Sequence, residues 1–352
     1  MPWNLYSLDK LIEAETSILS FIKSKFNLNF VEVLLGESPI NLRTISVHNE
    51  NSRVPLLLLH GMAAGIGFWI MNFDALARFT TVHALDLPGF ARSSRYQFAS
   101  DPEDIVEDYV DSIEKWRLSL GVKRFMLLGH SFGAYISYAY ACKYPDNIAH
   151  LVLADPWGMA TMEEEPPTFR IPIYLKPVVG LVKMFNPLAG LRAFGPLGPG
   201  MVSRVRGDII EKFRPAIGDN DYIVRDYIYQ CNAQNPTGES AFYNLCKPLG
   251  YARPSFSILS QANRLSSKVP TTIIYGDSTW MTIPGGRRFR DACPANVKIV
   301  FVPDSGHHVY ADNYPRFNST VIELILKTQS QETEHVEDQN LDDDLNINLN
   351  IS

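Results

Sequence analysis

Short apolar runs recur along this chain, each closed by glycine, proline or a polar turn and each followed by a stretch with helical spacing. Leu56–Leu59 and Phe125–Leu128 are wholly apolar and read as buried strands, and Thr81–Leu87, Leu151–Ala154, Thr271–Tyr275 and Val297–Val302 read as further strands of the same series. Their alternation with helices predicts an α/β fold with a mostly parallel central sheet and helices on both faces. Two β-rich segments, Phe30–Leu35 and Leu42–His48, come first. An amphipathic helix opens the chain, with Asp9 as its expected cap and Leu11, Ile12, Ile18, Leu19 and Ile22 at roughly helical spacing.

The rhythm breaks at Pro156 and resumes at Thr271, which divides the chain into expected units. These are an amino-terminal helix (1–28), a core (29–155 and 271–328), a helical cap insertion (156–270) and a disordered acidic tail (329–352). An insertion between two strands of a parallel sheet belongs over its carboxyl edge, where such folds bind ligands. Net charge is −6, but seven acidic side chains and no Lys or Arg fall between Gln329 and Ser352, so the folded part is near neutral and no nucleic-acid partner is expected. The four cysteines, Cys142, Cys231, Cys246 and Cys293, are far apart with no CxxC spacing, which suggests neither a zinc site nor a disulfide framework and fits a reducing compartment. Asp9, Lys10, Glu13 and Glu15 argue against a cleaved secretory signal. Pro55, Gly61, Gly65 and Gly67 break Val54–Met71 into strand, loop and helix start, so no membrane-spanning helix is read and a cytoplasmic location is expected.

Gly129-His130-Ser131-Phe132-Gly133 lies between a buried strand and a helix, the context a nucleophile elbow requires. Glycines on both sides let the backbone turn tightly and expose the serine hydroxyl, so Ser131 is the candidate nucleophile. A serine attacks poorly unless a base takes its proton. His307, in Pro303-Asp304-Ser305-Gly306-His307-His308 after the last strand, is the expected base, with His308 ranked second. Backbone N–H groups of Phe132 and Met62 are the expected oxyanion donors. Asp277, directly after Thr271–Tyr275 and Gly276, is the expected acid that orients the imidazole, and Asp155, at the end of Leu151–Ala154, is the alternative. No metal or redox cofactor is required by this chemistry.

Several longer segments carry a more specific signal: His60-Gly61-Met62-Ala63-Ala64-Gly65 with Trp69 and Asn72-Phe73, Leu85-Asp86-Leu87-Pro88-Gly89-Phe90 through Arg95, and Asp155-Pro156-Trp157-Gly158. Phe185–Arg192, Tyr227–Asn232 and Gly306–Asp312 extend the set. With these segments the chain, from the first helix to about Lys327, resembles the α/β-hydrolase superfamily and within it the α/β-hydrolase domain-containing four/five subfamily of glycerolipid and lipid-droplet proteins.

The resemblance implies an α/β-hydrolase fold with a cap, and a lipid-directed serine hydrolase or acyltransferase of glycerophospholipid metabolism. The implied activities are a lysophospholipase or N-acyl-phospholipid hydrolase, or a lysophosphatidic acid acyltransferase with acyl-CoA as cosubstrate. The acyltransferase activity is linked to an HxxxxD pattern, here His307 to Asp312. It also implies an alternative, a non-catalytic lipid-droplet coactivator of a triacylglycerol lipase, in which the elbow serine is commonly asparagine; this chain keeps Ser131. Peripheral residence on lipid droplets or intracellular membranes, with mitochondrial association, is implied too. Many relatives place the acid where this chain has Thr279 and Thr282. Independently of the resemblance, Pro172–Val202 mixes apolar residues with Lys176, Lys183 and Arg192, a composition suited to an anionic lipid surface, to which Trp3, Leu5 and Tyr6 could add contact. An esterase of small water-soluble compounds is the third reading the elbow allows.

Overall fold

The computed structural model describes residues 6–164, 188–247 and 250–349. Trp3, Leu5, Lys176, Lys183 and 185–187 lie outside the described residues.

Leu56–Leu59, all four buried, shows how the sequence builds the core. Successive strand side chains point to opposite faces, so Leu56 and Leu58 enter one apolar layer and Leu57 and Leu59 the other. Each such leucine contributes about 2 kcal/mol of burial. Eight strands form one sheet: β1 (Asn27–Leu35), β2 (Ser38–Val47), β3 (Leu56–Leu59), β4 (Val82–Leu85), β5 (Phe125–His130), β6 (Ile148–Ala154), β7 (Thr271–Gly276) and β8 (Val297–Val302). The spatial order is β1-β2-β4-β3-β5-β6-β7-β8. β1 and β2 run antiparallel; every pairing among β3 to β8 is parallel.

The first layer is covered by helices Leu8–Leu19, Asp221–Asn232 and the start of Tyr314–Leu349, the second by Pro102–Ser119 and Phe132–Lys143. The opening helix is capped by Ser7, whose hydroxyl accepts the Lys10 N–H; Asp9, the expected cap, stands in the first turn instead. A cap must adopt extended backbone one residue before the helix, and Ser7 does. Inside this helix Glu15 is buried and takes Arg43 and Arg92 together, both at 2.5 Å. That three-charge cluster pins the helix to β2 and to the loop after β4.

Between β6 and β7 the described chain is helical and sits on the carboxyl ends of β3, β4 and β5. Asn232 donates to Ala63 O at 2.8 Å, Gln234 donates to Ala91 O at 2.8 Å, the Gly67 N–H reaches the Tyr227 hydroxyl, and Phe242 stacks edge-on to Phe132. At the other end the closing helix runs from Tyr314 to Leu349 and so extends into the acidic segment that begins at 329. Extending a helix adds a hydrogen bond per residue without a new nucleus, and the buried Phe317, Val321 and Ile325 anchor its base. The extension has no Gly or Pro, the two residues that most disfavour a helix interior.

Candidate active site

Strand β5 ends at His130 and the helix Phe132–Lys143 begins two residues later, which leaves Ser131 as the hinge. Its backbone has φ 53° and ψ −115°, a conformation that costs a non-glycine residue on the order of 1–3 kcal/mol. Close packing holds the strain. A Cβ at Gly133 would stand 2.5 Å from the carbonyl oxygens of Leu59 and His60, and one at Gly129 would stand 2.3 Å from Gly133 O. The elbow is also tied to its neighbour strand, since the Ser131 N–H donates to Ala154 O at 3.0 Å and Ser131 O accepts the Trp157 N–H at 3.1 Å.

Those two bonds bracket Asp155. It sits one residue past β6 with φ 45°, held by its N–H on Ile274 O at 2.7 Å, and its side chain is fully buried. Its Oδ2 lies 2.5 Å from His307 Nδ1, while His307 Nε2 lies 3.0 Å from Ser131 Oγ. With Nδ1–H donating to the carboxylate, Nε2 carries the lone pair that accepts the serine hydroxyl. Carboxylate, imidazole and hydroxyl thus form one continuous relay.

Asp277 is not in that relay. Its exposed carboxylate accepts the N–H groups of Asp304 and Ser305, each at 3.2 Å, and the Ser278 hydroxyl, which hold it below the usual carboxylate range. It braces the base loop by its backbone. The carboxylate that meets His307 comes instead from the end of β6, because the ends of β5 and β6 are adjacent in the sheet and Asp155 is buried beside the elbow. The Thr279 hydroxyl donates to Asp155 Oδ2 at 2.6 Å, and Thr282 caps the helix Ile283–Ala292 by accepting the Gly285 N–H.

His307 and not His308 meets the serine. His308 packs its ring against His130 and Tyr310. The sequence reading missed His130, although it stands inside the elbow motif: it is buried, and its Nε2–H donates to the His307 carbonyl at 2.8 Å, with ring centroids 4.7 Å apart. It fixes the base loop against the elbow. Burial, assisted by the positive charges of Lys212 and Arg206, pushes His307 down to about 4, so the imidazole is neutral at pH 7 and able to accept a proton. Burial raises the Asp155 carboxyl, opposed by the hydrogen bonds from Thr279 and the Gly276 backbone.

Gly61 packs on the elbow so tightly that a Cβ there would stand 3.1 Å from Ser131 Cβ, which brings Met62 to the same rim. Among the described residues the N–H groups of Met62 and Phe132, the expected oxyanion donors, bond no other group. His60 shapes this turn: its Nδ1–H donates to Gly61 O at 2.7 Å and its Nε2 accepts the Leu87 N–H at 3.0 Å, joining the ends of β3 and β4. Trp280, 74% exposed, lies with its ring 4.9 Å from that of His307. Asp312, the far member of the HxxxxD pattern, makes no hydrogen bond to the imidazole; its carboxylate binds the Gly306 N–H and Lys212.

A serine on a strand-to-helix elbow at the carboxyl edge of a parallel sheet is the arrangement of an α/β hydrolase, and residues 54–177 match the family model described as alpha/beta hydrolase fold. Over 320 residues the chain is 39% identical to the "(Lyso)-N-acylphosphatidylethanolamine lipase" of Homo sapiens, covering 90% of this chain and 92% of that protein. It is 36% identical to the human "1-acylglycerol-3-phosphate O-acyltransferase ABHD5", covering 90% of each. The naproxen esterase of Bacillus subtilis shares the fold, with a TM-score of 0.59 at 14% identity over 90% of this chain and 97% of that one. The chain belongs to the α/β-hydrolase family, in the group that contains those two human proteins.

Proposed function

We propose that this protein is a lipid-directed serine hydrolase in which Ser131 is the nucleophile, His307 the general base and acid, and Asp155 the orienting carboxylate. The observation that carries this reading is the unbroken relay from Asp155 Oδ2 through His307 to Ser131 Oγ, with contacts of 2.5 and 3.0 Å. In the reaction, Ser131 Oγ bonds the acyl carbonyl carbon as its proton passes to Nε2. Met62 and Phe132 N–H groups receive the resulting oxyanion, and the imidazolium returns the proton to the departing oxygen or nitrogen as the acyl bond breaks. Water then attacks the acyl-enzyme by the same path. If a lysophospholipid hydroxyl replaces water, the identical machinery transfers the acyl group, so the HxxxxD pattern is not needed to explain transfer.

The relatives' names point to acyl phospholipids, N-acylated or lyso, as the substrate class. Such substrates reside in membranes or droplet surfaces, so the protein acts peripherally, on lipid droplets or intracellular membranes, mitochondria included. Among the described residues no helix is long and apolar enough to cross a membrane. A non-catalytic coactivator of a triacylglycerol lipase would have no use for a buried carboxylate aligned on an imidazole that faces a serine, and the retained relay favours catalysis over that role.

The test is activity-based labelling with a fluorophosphonate, followed by fatty-acid release from vesicles containing N-acylphosphatidylethanolamine. Wild type labels at Ser131 and releases fatty acid, and Ser131→Ala does neither. Absence of labelling in folded wild type would remove the proposal; labelling with turnover of short soluble esters but none on vesicles would remove its lipid part.

A further inference from the structure

Asp312 reaches the base loop and the segment between β6 and β7 at once. Its Oδ2 accepts the N–H of Gly306, the residue immediately before His307, at 3.0 Å. Its other oxygen pairs with the ammonium of Lys212, the last residue of the helix Gly207–Lys212. The Asp312 N–H donates in turn to His308 O at 2.8 Å, so one residue closes the loop Gly306–His308 from both sides. The pair is largely shielded, with Lys212 at 20% and Asp312 at 11% side-chain exposure, so salt screens it less than a surface ion pair.

We propose that Asp312 is a positioning residue that links His307 to the cap through Lys212, so that the base is held for proton transfer only while the helix Gly207–Lys212 is seated on the sheet edge. This rests on the reading of Ser131 and His307 as nucleophile and base. Without Lys212 the carboxylate loses the partner that fixes its orientation, and its grip on the Gly306 N–H loosens. Without the carboxylate, Gly306 has no acceptor and the cap no hold on the loop. In a lipid enzyme this link has a direct use: a cap displaced or seated by the lipid surface sets the competence of the base.

The groups that act on the imidazole give the test a sign. Lys212 and Arg206 push its proton off and Asp312 holds it, while Asp155 binds Nδ1 and the His130 and His308 rings pack beside it. Removing the cation and removing the carboxylate therefore shift the titration in opposite directions. Full-length Lys212→Met, Lys212→Arg, Asp312→Asn and Asp312→Ala would be compared with wild type in two readouts. One is the rate of Ser131 labelling by a fluorophosphonate between about pH 4 and 9; the other is the NMR titration of the His307 ring proton, which needs no turnover.

The expected result is a roughly tenfold to hundredfold loss of labelling rate in Asp312→Ala, as for a lost charge-assisted bond. Asp312→Asn, which keeps an acceptor for Gly306, loses less and titrates at lower pH than wild type. Lys212→Met titrates at higher pH, and Lys212→Arg returns to the wild-type profile. Equal rates and midpoints in all variants, or shifts of Lys212→Met and Asp312→Asn in the same direction, would overturn the link. If wild type fails to label at all, the catalytic reading falls, and the NMR shifts alone then decide whether Lys212 and Asp312 act on His307.

Discussion

Replacing Asp155 by asparagine removes one charge from a buried pair while keeping its shape. Asp155 is fully buried, with Oδ2 at 2.5 Å from His307 Nδ1 and 2.6 Å from the Thr279 hydroxyl. When Ser131 gives up its proton the imidazole becomes cationic, and the carboxylate is the countercharge in direct contact with it. Losing one partner of a buried pair costs about 3–5 kcal/mol. At about 1.36 kcal/mol per tenfold, that is a fall of about 10²–10⁴ in kcat/KM. Tautomerism acts in the same direction. If the new amide turns its NH2 to the ring, Nδ1 must accept, Nε2 carries the hydrogen, and the serine has no lone pair to receive its proton. The assay is steady-state hydrolysis of a p-nitrophenyl ester, with Asp277→Asn in parallel. Asp277 is exposed and bonds only its own and the base loop, so its variant stays within about threefold of wild type. An Asp155→Asn enzyme within tenfold of wild type, or an Asp277→Asn enzyme a hundredfold slower, would refute the assignment of the acid.

Three further outcomes follow from the same geometry. Burial and the positive charges of Lys212 and Arg206 lower His307, while the Asp155 carboxylate at 2.5 Å opposes them, so Asp155→Asn moves the acidic limb of kcat/KM to lower pH than in wild type; an unmoved limb contradicts this. His60, His83 and His150 are each buried and lowered from 6.5 to about 4, so the unfolded chain binds protons that the folded one refuses. Their contribution is complete above 6.5 and is lost as pH falls from there towards 4, by up to about 3 kcal/mol each. Urea midpoints of wild type and His150→Gln at about pH 7 and 5 measure it: Asp86 and Asp155, raised by burial, act in the opposite direction but equally in both proteins, so the variant loses less than wild type between the two pH values, and an equal loss would disprove it. Gly133→Ala drives a methyl to 2.5 Å from two backbone oxygens and costs more than about 3 kcal/mol, whereas Gly200→Ala, in open space within a helix, is neutral or stabilising; thermal unfolding of the two variants makes the comparison.

The parts of this fold that the sequence made legible are those whose burial leaves no alternative. Leu56–Leu59, Phe125–Leu128 and Leu151–Ala154 have no polar face to show water, so they had to become interior strands, and they are β3, β5 and β6. The opening helix was legible from the helical spacing of its apolar face, but its cap was not: Ser7 and Asp9 are both competent caps, and the choice depends on where the backbone turns extended. At the carboxyl end the helix anchored by the buried Phe317, Val321 and Ile325 runs on into the acidic segment, an extension that helix propagation allows and that no apolar pattern in the segment signals.

The same distinction separates the three members of the relay. Ser131 and His307 each carry a local signature, a glycine-flanked bend between strand and helix and a histidine just past the last strand. The acid has none, because its position follows from two strand ends lying side by side, a relation no short window contains. A weaker signal was nevertheless present in the loop after β7. Thr279 and Thr282 stand where the resemblance placed a carboxylate; the first donates its hydroxyl to Asp155 and the second caps a helix. An added carboxylate beside Asp155 would set two negative charges against one imidazole, and like charges that close cannot both remain ionised. A hydroxyl in that loop, paired with an aspartate at the end of β6, is therefore a coherent pattern: the donor in one loop supports the acid in the other. Read as a pair, Asp155 and Thr279 point to the acid that neither residue identifies alone.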